Sequence, residues 1–160
     1  MTLSKSNIIY EQDFNLWLKQ TVALLKARRF GELDLEQLID ELESVAKRDK
    51  REILSRLDVI LMHLLKWQYQ PNCRTKSWES SIQNNRKEIL RIIEDSPSLN
   101  RYPVEILSKA YQSARKDAAR ETQLSQDTFP MSCPFSIDEA LNDTFWPENH
   151  WYHRNSSRGG

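Results

Sequence analysis

Residues 34–71 read DLEQLIDELESVAKRDKREILSRLDVILMHLLKWQYQP, and this stretch decides the fold. Its apolar side chains recur every three or four residues, which places them on one face of an α-helix. Asp34 is the predicted N-cap, Gln37 completes a capping-box pattern, and Pro71 stops the helix after Gln70. Charges crowd together at 47–50, so a break in the helix remains an alternative there. The predicted inner face holds Leu35, Leu38, Ile39, Leu42, Val45, Ala46, Ile53, Leu57, Ile60 and Leu64.

The chain before this stretch predicts a first helix over 7–29. Gly31 is expected to end that helix, because glycine adopts the left-handed conformation of a helix C-terminus without steric cost. The spacing of the apolar residues again indicates one inward face. That face is predicted to hold Ile9, Phe14, Trp17, Leu18, Val22 and Leu25.

Two more helices are predicted after Pro71. The third runs over 78–94 with Ser77 as its cap, and the fourth runs to about Glu121 with Pro103 in its first turn. The predicted inner face of the third helix holds Ile82, Ile89, Leu90, Ile92 and Ile93. That of the fourth holds Ile106, Leu107, Ala110, Tyr111, Ala114 and Ala118.

The C-terminal part changes character. Prolines and phenylalanines at 122–135 indicate an extended segment that lies on the helices, and Ser136 with Glu139 forms a capping box for a short helix over 137–142. The predicted fold is therefore all-α: a bundle of about four main helices, a short C-terminal helix and an extended segment packed on it. We expect one domain over 1–148 and a flexible tail over 149–160.

Composition narrows the classes of function. Lysine plus arginine and aspartate plus glutamate number 23 each, which disfavours nucleic acid or an anionic membrane as a partner, since both attract a basic surface. The N-terminus lacks the pattern of a signal peptide, and no apolar run approaches the ~20 residues of a membrane span. Cys73 and Cys133 lie far apart and outside any Cys-x-x-Cys pair, so we expect reduced thiols and a cytoplasmic protein.

A line of polar side chains runs along the margin of the apolar stripe in the second helix. Asp49, Arg56 and His63 follow one another at seven-residue steps, and Glu52 can pair with Arg56 one turn away. Polar groups at such a margin are partly desolvated and need partners. The candidate polar site consists of Asp49, Glu52, Arg56, His63, Trp67 and, from the next helix, Arg86.

His63 has two interpretations. It is either an acid–base group or ligand oriented by a carboxylate, or a histidine at the packing margin that a hydrogen bond satisfies. The second is the commoner arrangement, and a single histidine supplies no set of metal ligands. We therefore predict neither a metal site, nor a cofactor, nor a catalytic residue.

Six separated segments carry a family resemblance. In order they are YEQDFNLWLKQTVALLKARRFGELDLEQLIDELESV (10–45), SRLDVILMHLLKWQYQP (55–71), SWESSIQNNRKEIL (77–90), EDSPSL (94–99), AYQSARKDAARET (110–122) and FPMSCPFSIDEALNDTFWPE (129–148). The chain resembles the bacterial, largely cyanobacterial, family of domain of unknown function twenty-nine. The resemblance implies an almost wholly helical fold. It implies no activity, and the residues after Glu148 fall outside it.

Three functions remain as hypotheses. The first is a helical module, without enzymatic activity, that binds another protein or a second copy of itself; its interface could include Phe129, Phe135, Phe145 and Trp146. The second is an enzyme or ligand-binding protein that uses the polar line around His63 and Arg56. The third is nucleic-acid binding through 66–91, where aromatic and basic residues alternate and could stack on bases.

Overall fold

The computed structural model describes residues 5–149, and within them it contains α-helices and short 3-10 turns but no strand. The predicted all-α class is confirmed. The helices are α1 (Lys5–Gln12), α2 (Phe14–Lys26), α3 (Leu35–Tyr69), α4 (Lys76–Asp95), α5 (Tyr102–Thr122) and α6 (Ile137–Leu141). The chain forms two compact units, Met1–Arg48 and Asp49–Gly160, with the boundary inside α3. The single domain over 1–148 stays a prediction, and the predicted tail, beyond Asn149, lies outside the described residues.

The predicted first helix is wrong, because the chain breaks at Asp13. This residue leaves helical geometry, with φ −149° and ψ 85°, and its carboxylate accepts a hydrogen bond from the backbone N–H of Leu16 at 2.9 Å. Asp13 is thus the N-cap of α2. Gly31 does not end the helix either: Arg28 adopts the left-handed conformation at φ 57°, and Gly31 lies in a 3-10 turn.

The long helix agrees with its prediction. The carboxylate of Asp34 accepts from the N–H of Gln37 at 3.1 Å, and the helix continues without a break through 47–50 to Tyr69. Pro71 then opens a 3-10 turn. One correction applies to the next helix. Thr75, not Ser77, caps α4, since its hydroxyl accepts from the N–H of Trp78 at 3.2 Å.

The second unit has a continuous apolar core built from α3, α4 and α5. Most of the predicted inner positions are buried in it. Ala110, Ala114 and Ala118 of α5 are fully buried, as the close approach of another element requires. Leu90 is an exception, because its side chain is exposed. The fully buried core positions include Ile53, Leu57, Ile60, Leu64, Ile82, Ile89, Ala110, Ala114 and Ala118.

The segment after α5 packs on this core, as the sequence predicts. Phe129 and Phe135 are buried, and the Tyr111 hydroxyl donates to the carbonyl of Pro130 at 2.5 Å. The buried Arg115 donates to the carbonyl of Phe129 at 3.2 Å. The predicted capping box is present in full: Ser136 and Glu139 each accept a hydrogen bond from the other's backbone N–H, at 3.1 Å.

Candidate functional site

Arg56 and Glu52 form the centre of the candidate polar site, and both side chains are partly buried. The Arg56 guanidinium lies 2.9 Å and 2.8 Å from the Glu52 carboxylate through Nε and Nη2, so the predicted pair is confirmed. Its Nη1 donates to Oδ1 of Asn85 on α4 at 3.1 Å. A cleft of about 480 Å³ lies here, lined by Arg51, Glu52, Ser55, Arg56, Val59 and Asn85. The charges of Arg56 and Glu52 compensate each other and Arg51 adds a further positive charge to the lining, so the cleft suits a small polar or anionic ligand.

Asp49 precedes Glu52 by one turn of α3 and is half-buried. Arg51, Ser55, Val59 and Asn85 line this cleft but are absent from the predicted site, and of these only Asn85 comes from α4. Its neighbour Arg86 is charged and is therefore part of the predicted site. Asn85 has no charge, and it reaches the cleft because α4 lies opposite Arg56.

His63 lies two turns beyond Arg56 and is half-buried. Its Nδ1 lies 2.9 Å from the carbonyl oxygen of Val59. A carbonyl only accepts hydrogen bonds, so Nδ1 carries the proton that it donates. The ring stands edge-on to Trp78, with centroids 6.5 Å apart. Burial lowers the pKa of His63 below its usual value, and the charge of Lys66 lowers it further. The imidazole is therefore neutral at pH 7, and its partner is the backbone of its own helix.

Lys66 is almost fully buried and carries an unusual set of partners. Its Nζ donates to the Glu121 carboxylate on α5 at 2.5 Å and lies 4.4 Å from the centroid of the Trp78 ring on α4. This ion pair lowers the pKa of Glu121. Both contacts satisfy the buried ammonium, and together they tie α3 to its two neighbouring helices. Glu121 escaped the sequence prediction because it lies 55 residues from Lys66.

Trp67 contacts the chain that follows α5, residues 123–149, which we call the C-terminal segment. Its ring lies against that of Trp146, with centroids 4.4 Å apart, and the Arg74 guanidinium lies 4.6 Å from the Trp67 centroid. Arg74 also donates to the Trp67 carbonyl at 3.0 and 2.8 Å. A second cavity of about 480 Å³ adjoins these rings, lined by Trp67, Arg74, Trp146, Pro147, Glu148 and Asn149.

Arg86 has a different role from the one that its place in the candidate site suggests. Its side chain is only 1% exposed. Its Nη1 donates to Oε1 of Gln83 on the same helix at 3.4 Å, and its other hydrogen bonds go to the C-terminal segment. Nε donates to the carbonyl of Ala140 at 2.8 Å, and Nη2 donates to those of Phe145 at 3.0 Å and Glu139 at 3.4 Å. Desolvation lowers the pKa of Arg86 to about 10, so the group remains a cation at neutral pH. Arg86 anchors the segment to α4.

A third cavity, of about 670 Å³, lies beside Arg86 and is lined by Gln83, Arg86, Lys87, Leu90, Arg91, Glu94, Leu141, Asn142 and Asp143. His63 lines none of these three cavities. The structure thus joins Glu52 to Arg56 and turns Trp67 and Arg86 toward the C-terminal segment. The predicted six-residue site becomes several separate structural contacts and one small cleft.

A set of exposed apolar side chains at helical spacing lies in the first unit, and it overturns part of the sequence prediction. Eight side chains predicted to point into a core are between 39% and 61% exposed. In α2, only Trp17 and Thr21 are buried. We call the exposed set the N-terminal apolar face; it consists of Phe14, Leu18, Val22 and Leu25 of α2 and Leu35, Ile39, Leu42 and Val45 of α3.

The C-terminal aromatic residues do not offer a comparable surface. Phe129 and Phe135 belong to the core of the second unit, and Phe145 and Trp146 pack against it. Phe129 and Phe135 are therefore inaccessible to a partner, whereas Phe145 and Trp146 are half-buried, and an interface that includes these two rings stays a prediction.

Two features are absent from residues 5–149. No helix in this range is both long enough and apolar enough to cross a membrane. The same range holds no group of three or more His, Cys, Asp or Glu side chains arranged to hold a metal ion.

Comparison with known proteins gives one match. The sequence model of a family described as "Domain of unknown function DUF29" matches residues 9–146, which is most of the chain. No curated protein and no solved structure matches significantly.

Proposed function

We propose, for a chain that belongs to the DUF29 family of domains of unknown function, that it acts as a helical protein-interaction module. The observation that carries this proposal is the N-terminal apolar face. Single exposed apolar residues are ordinary on a protein surface, but a contiguous set at helical spacing is typical of an interaction site.

The contrast between the two units supports the proposal. Leu90, Val104, Leu124 and Met131 are exposed in the second unit, and each belongs to a different part of the chain. In the first unit, eight of the exposed large apolar residues follow one another along two helices, and Ile8, Leu16 and Phe30 lie outside these stripes. An amphipathic helical face of this kind binds the apolar face of another helix.

The test compares two matched double variants. Leu18→Gln with Leu42→Gln places two amides on the N-terminal apolar face, and Val104→Gln with Met131→Gln does the same at exposed sites of the second unit. Light scattering after size exclusion and capture of partners from a native lysate measure association. We expect the first variant to lose association and the control to keep it. A wild-type monomer that captures no more protein than the first variant would refute the proposal.

Ligand binding in the cleft at Arg56 is the second candidate function. The open volume of about 480 Å³ beside the Arg56–Asn85 hydrogen bond favours it. A thermal-shift screen of small polar metabolites, with Asn85→Ala as the control variant, tests it. Stabilisation of the wild type alone would support binding, and the absence of any stabilisation would exclude it from the screened compounds.

Nucleic-acid binding through 66–91 has weaker support. Lys66 is paired with Glu121, Trp67 is stacked against Trp146, and Arg86 is buried, so three of the side chains proposed to contact bases or phosphates are engaged. For location, we propose the cytoplasm, since Cys73 and Cys133 are both free thiols and suit a reducing compartment.

A further inference from the structure

We infer that the partner of the N-terminal apolar face is a second copy of this chain, related to the first by a twofold axis that runs along the helices. The inference rests on the proposed function and adds to it the identity of the partner and the orientation of the pair. The distribution of charge over the first unit carries it.

The two helices that supply the face have opposite charge. From Phe14 to Arg29 every charged residue is basic: Lys19, Lys26, Arg28 and Arg29. From Gly31 to Ala46 every charged residue is acidic: Glu32, Asp34, Glu36, Asp40, Glu41 and Glu43. Four of these charges have partners within the unit. Arg29 pairs with Glu32, and Glu41 accepts a hydrogen bond from Tyr10 at 2.9 Å. The Asp34 carboxylate caps α3 by accepting from the N–H of Gln37. The exposed charges include Lys19, Lys26, Glu36, Asp40 and Glu43.

Helical phase places those charges at the edges. At about 100° per residue, Lys19 and Lys26 follow Val22 around α2, on the side away from the buried Trp17. The same arithmetic places Glu36, Asp40 and Glu43 beyond Ile39 on α3, away from the half-buried Leu38. We call these the basic edge (Lys19 and Lys26) and the acidic edge (Glu36, Asp40 and Glu43).

Both apolar stripes fall on one side of the unit. An eight-residue connection, from Ala27 to Asp34, joins α2 to α3. Tyr10 touches both helices, since its ring lies 5.1 Å from that of Trp17 and its hydroxyl donates to Glu41 at 2.9 Å. From the length of this connection and the shared contact we infer that α2 and α3 are antiparallel neighbours. Seen from one end of an antiparallel pair, residues wind clockwise around one helix and anticlockwise around the other. On both α2 and α3 the apolar stripe follows the buried positions in the direction in which that helix winds. Both stripes therefore turn to the same side of the pair. The face is therefore a two-helix surface with a basic edge on one side and an acidic edge on the other.

Such a surface is complementary to itself in one orientation. Two copies that meet face to face build a four-helix bundle, which buries all eight apolar side chains. A twofold axis along the helices lays α2 of one copy on α3 of the other, and each basic edge then meets an acidic edge. An axis across the helices would lay α2 on α2 and bring like charges together, at a substantial cost. Charge therefore selects the first arrangement.

The experiment exchanges the two edges. Variant one is Lys19→Glu with Lys26→Glu, so both of its edges are acidic. Variant two is Glu36→Lys, Asp40→Lys and Glu43→Lys, so both of its edges are basic. The control is Lys109→Glu with Lys116→Glu, a matched charge change at exposed positions of α5. Sedimentation equilibrium at low salt measures the dissociation constant, and circular dichroism checks the helix content.

We expect the wild type and the control to form dimers and each edge variant to dissociate at least about tenfold more readily, which corresponds to roughly 1.4 kcal/mol. An equal mixture of the two edge variants should recover the dimer, since each acidic edge then meets a basic one. Raising the salt concentration should weaken the wild-type dimer and the mixed dimer alike.

Three results would overturn the inference. The first is a monomeric wild type at concentrations up to about 0.1 mM, equivalent to a binding free energy weaker than roughly −5.5 kcal/mol; this result needs no variant. The second is edge variants as dimeric as the wild type. The third is folded, monomeric edge variants that do not recombine. If the wild type is monomeric but still captures a protein that Leu18→Gln with Leu42→Gln cannot, the proposed function stands and only the second copy is refuted.

Discussion

Replacing Arg86 with methionine should destabilise the second unit by about 3 kcal/mol. Methionine fills a similar volume but cannot donate to the carbonyls of Ala140 and Phe145, which the guanidinium reaches at 2.8 and 3.0 Å. Hydrogen bonds to a charged donor contribute about 1.5–3 kcal/mol each. Two such bonds at the lower value give about 3 kcal/mol, and the weaker contact at 3.4 Å adds little. Removing the buried charge also removes its desolvation cost, so we do not take the upper value.

Urea unfolding followed by circular dichroism measures this loss, and hydrogen exchange at 137–146 locates it. Arg91→Met on the same helix is the control. Arg91 is exposed and pairs with Glu88 and Asp95, so Arg91→Met should leave the urea midpoint almost unchanged. Arg86→Lys should lie between the two, since an ammonium keeps the charge and loses the forked geometry. If Arg86→Met and Arg91→Met unfold at the same urea concentration, the anchoring role of Arg86 is refuted.

Three further predictions concern single contacts. Glu121→Gln leaves the buried Lys66 without its carboxylate and should lower the free energy of urea unfolding by about 1–2 kcal/mol. The double variant with Lys66→Met should recover at least half of that loss. A double variant as unstable as Glu121→Gln alone would contradict the ion pair. Because burial lowers the pKa of His63 below its usual 6.5, the unfolded chain binds the proton more readily and stability falls as pH drops through that value. His63→Gln should therefore shrink the difference in urea midpoint between about pH 7.5 and about pH 5.5, and an unchanged difference would argue against a neutral histidine. Thr75→Ala should lower the free energy of unfolding by about 1 kcal/mol and Ser77→Ala by less than about 0.3, because only Thr75 caps α4. A larger loss for Ser77→Ala than for Thr75→Ala would support Ser77, the cap predicted from sequence.

Sequence periodicity predicts helices well where the pattern is long and the stop is strong. The helix from Asp34 to Pro71 and the capping box at Ser136 are correct because their signals are local. The break at Asp13 was missed, although the step from Ile9 to Phe14 is five residues rather than three or four and aspartate is a common N-cap residue. Arg28 takes the left-handed position expected of Gly31, and the helix ends at Lys26, three residues before the predicted Arg29.

Periodicity also shows which residues share a helix face, but not whether another element covers that face. The stripe with Leu57 and Leu64 is buried, and the stripe with Leu35 and Leu42 on the same helix is exposed. The candidate site illustrates the same limit. The Arg56–Glu52 pair lies within one turn and could be predicted, whereas the contacts of Arg86 and Lys66 join residues more than 50 positions apart.

The packing of 129–146 onto the second unit has a consequence for synthesis on the ribosome. Phe129, Phe135 and the carbonyls that Arg86 binds belong to the last part of the described chain. When α5 leaves the exit tunnel, the nascent helices still lack these groups, and the Arg86 charge and the apolar surface beneath the missing rings face water. The second unit can complete its core only after Trp146 has emerged. A ribosome stalled before that point holds a chain with exposed apolar surface, the kind of substrate that chaperones recognise.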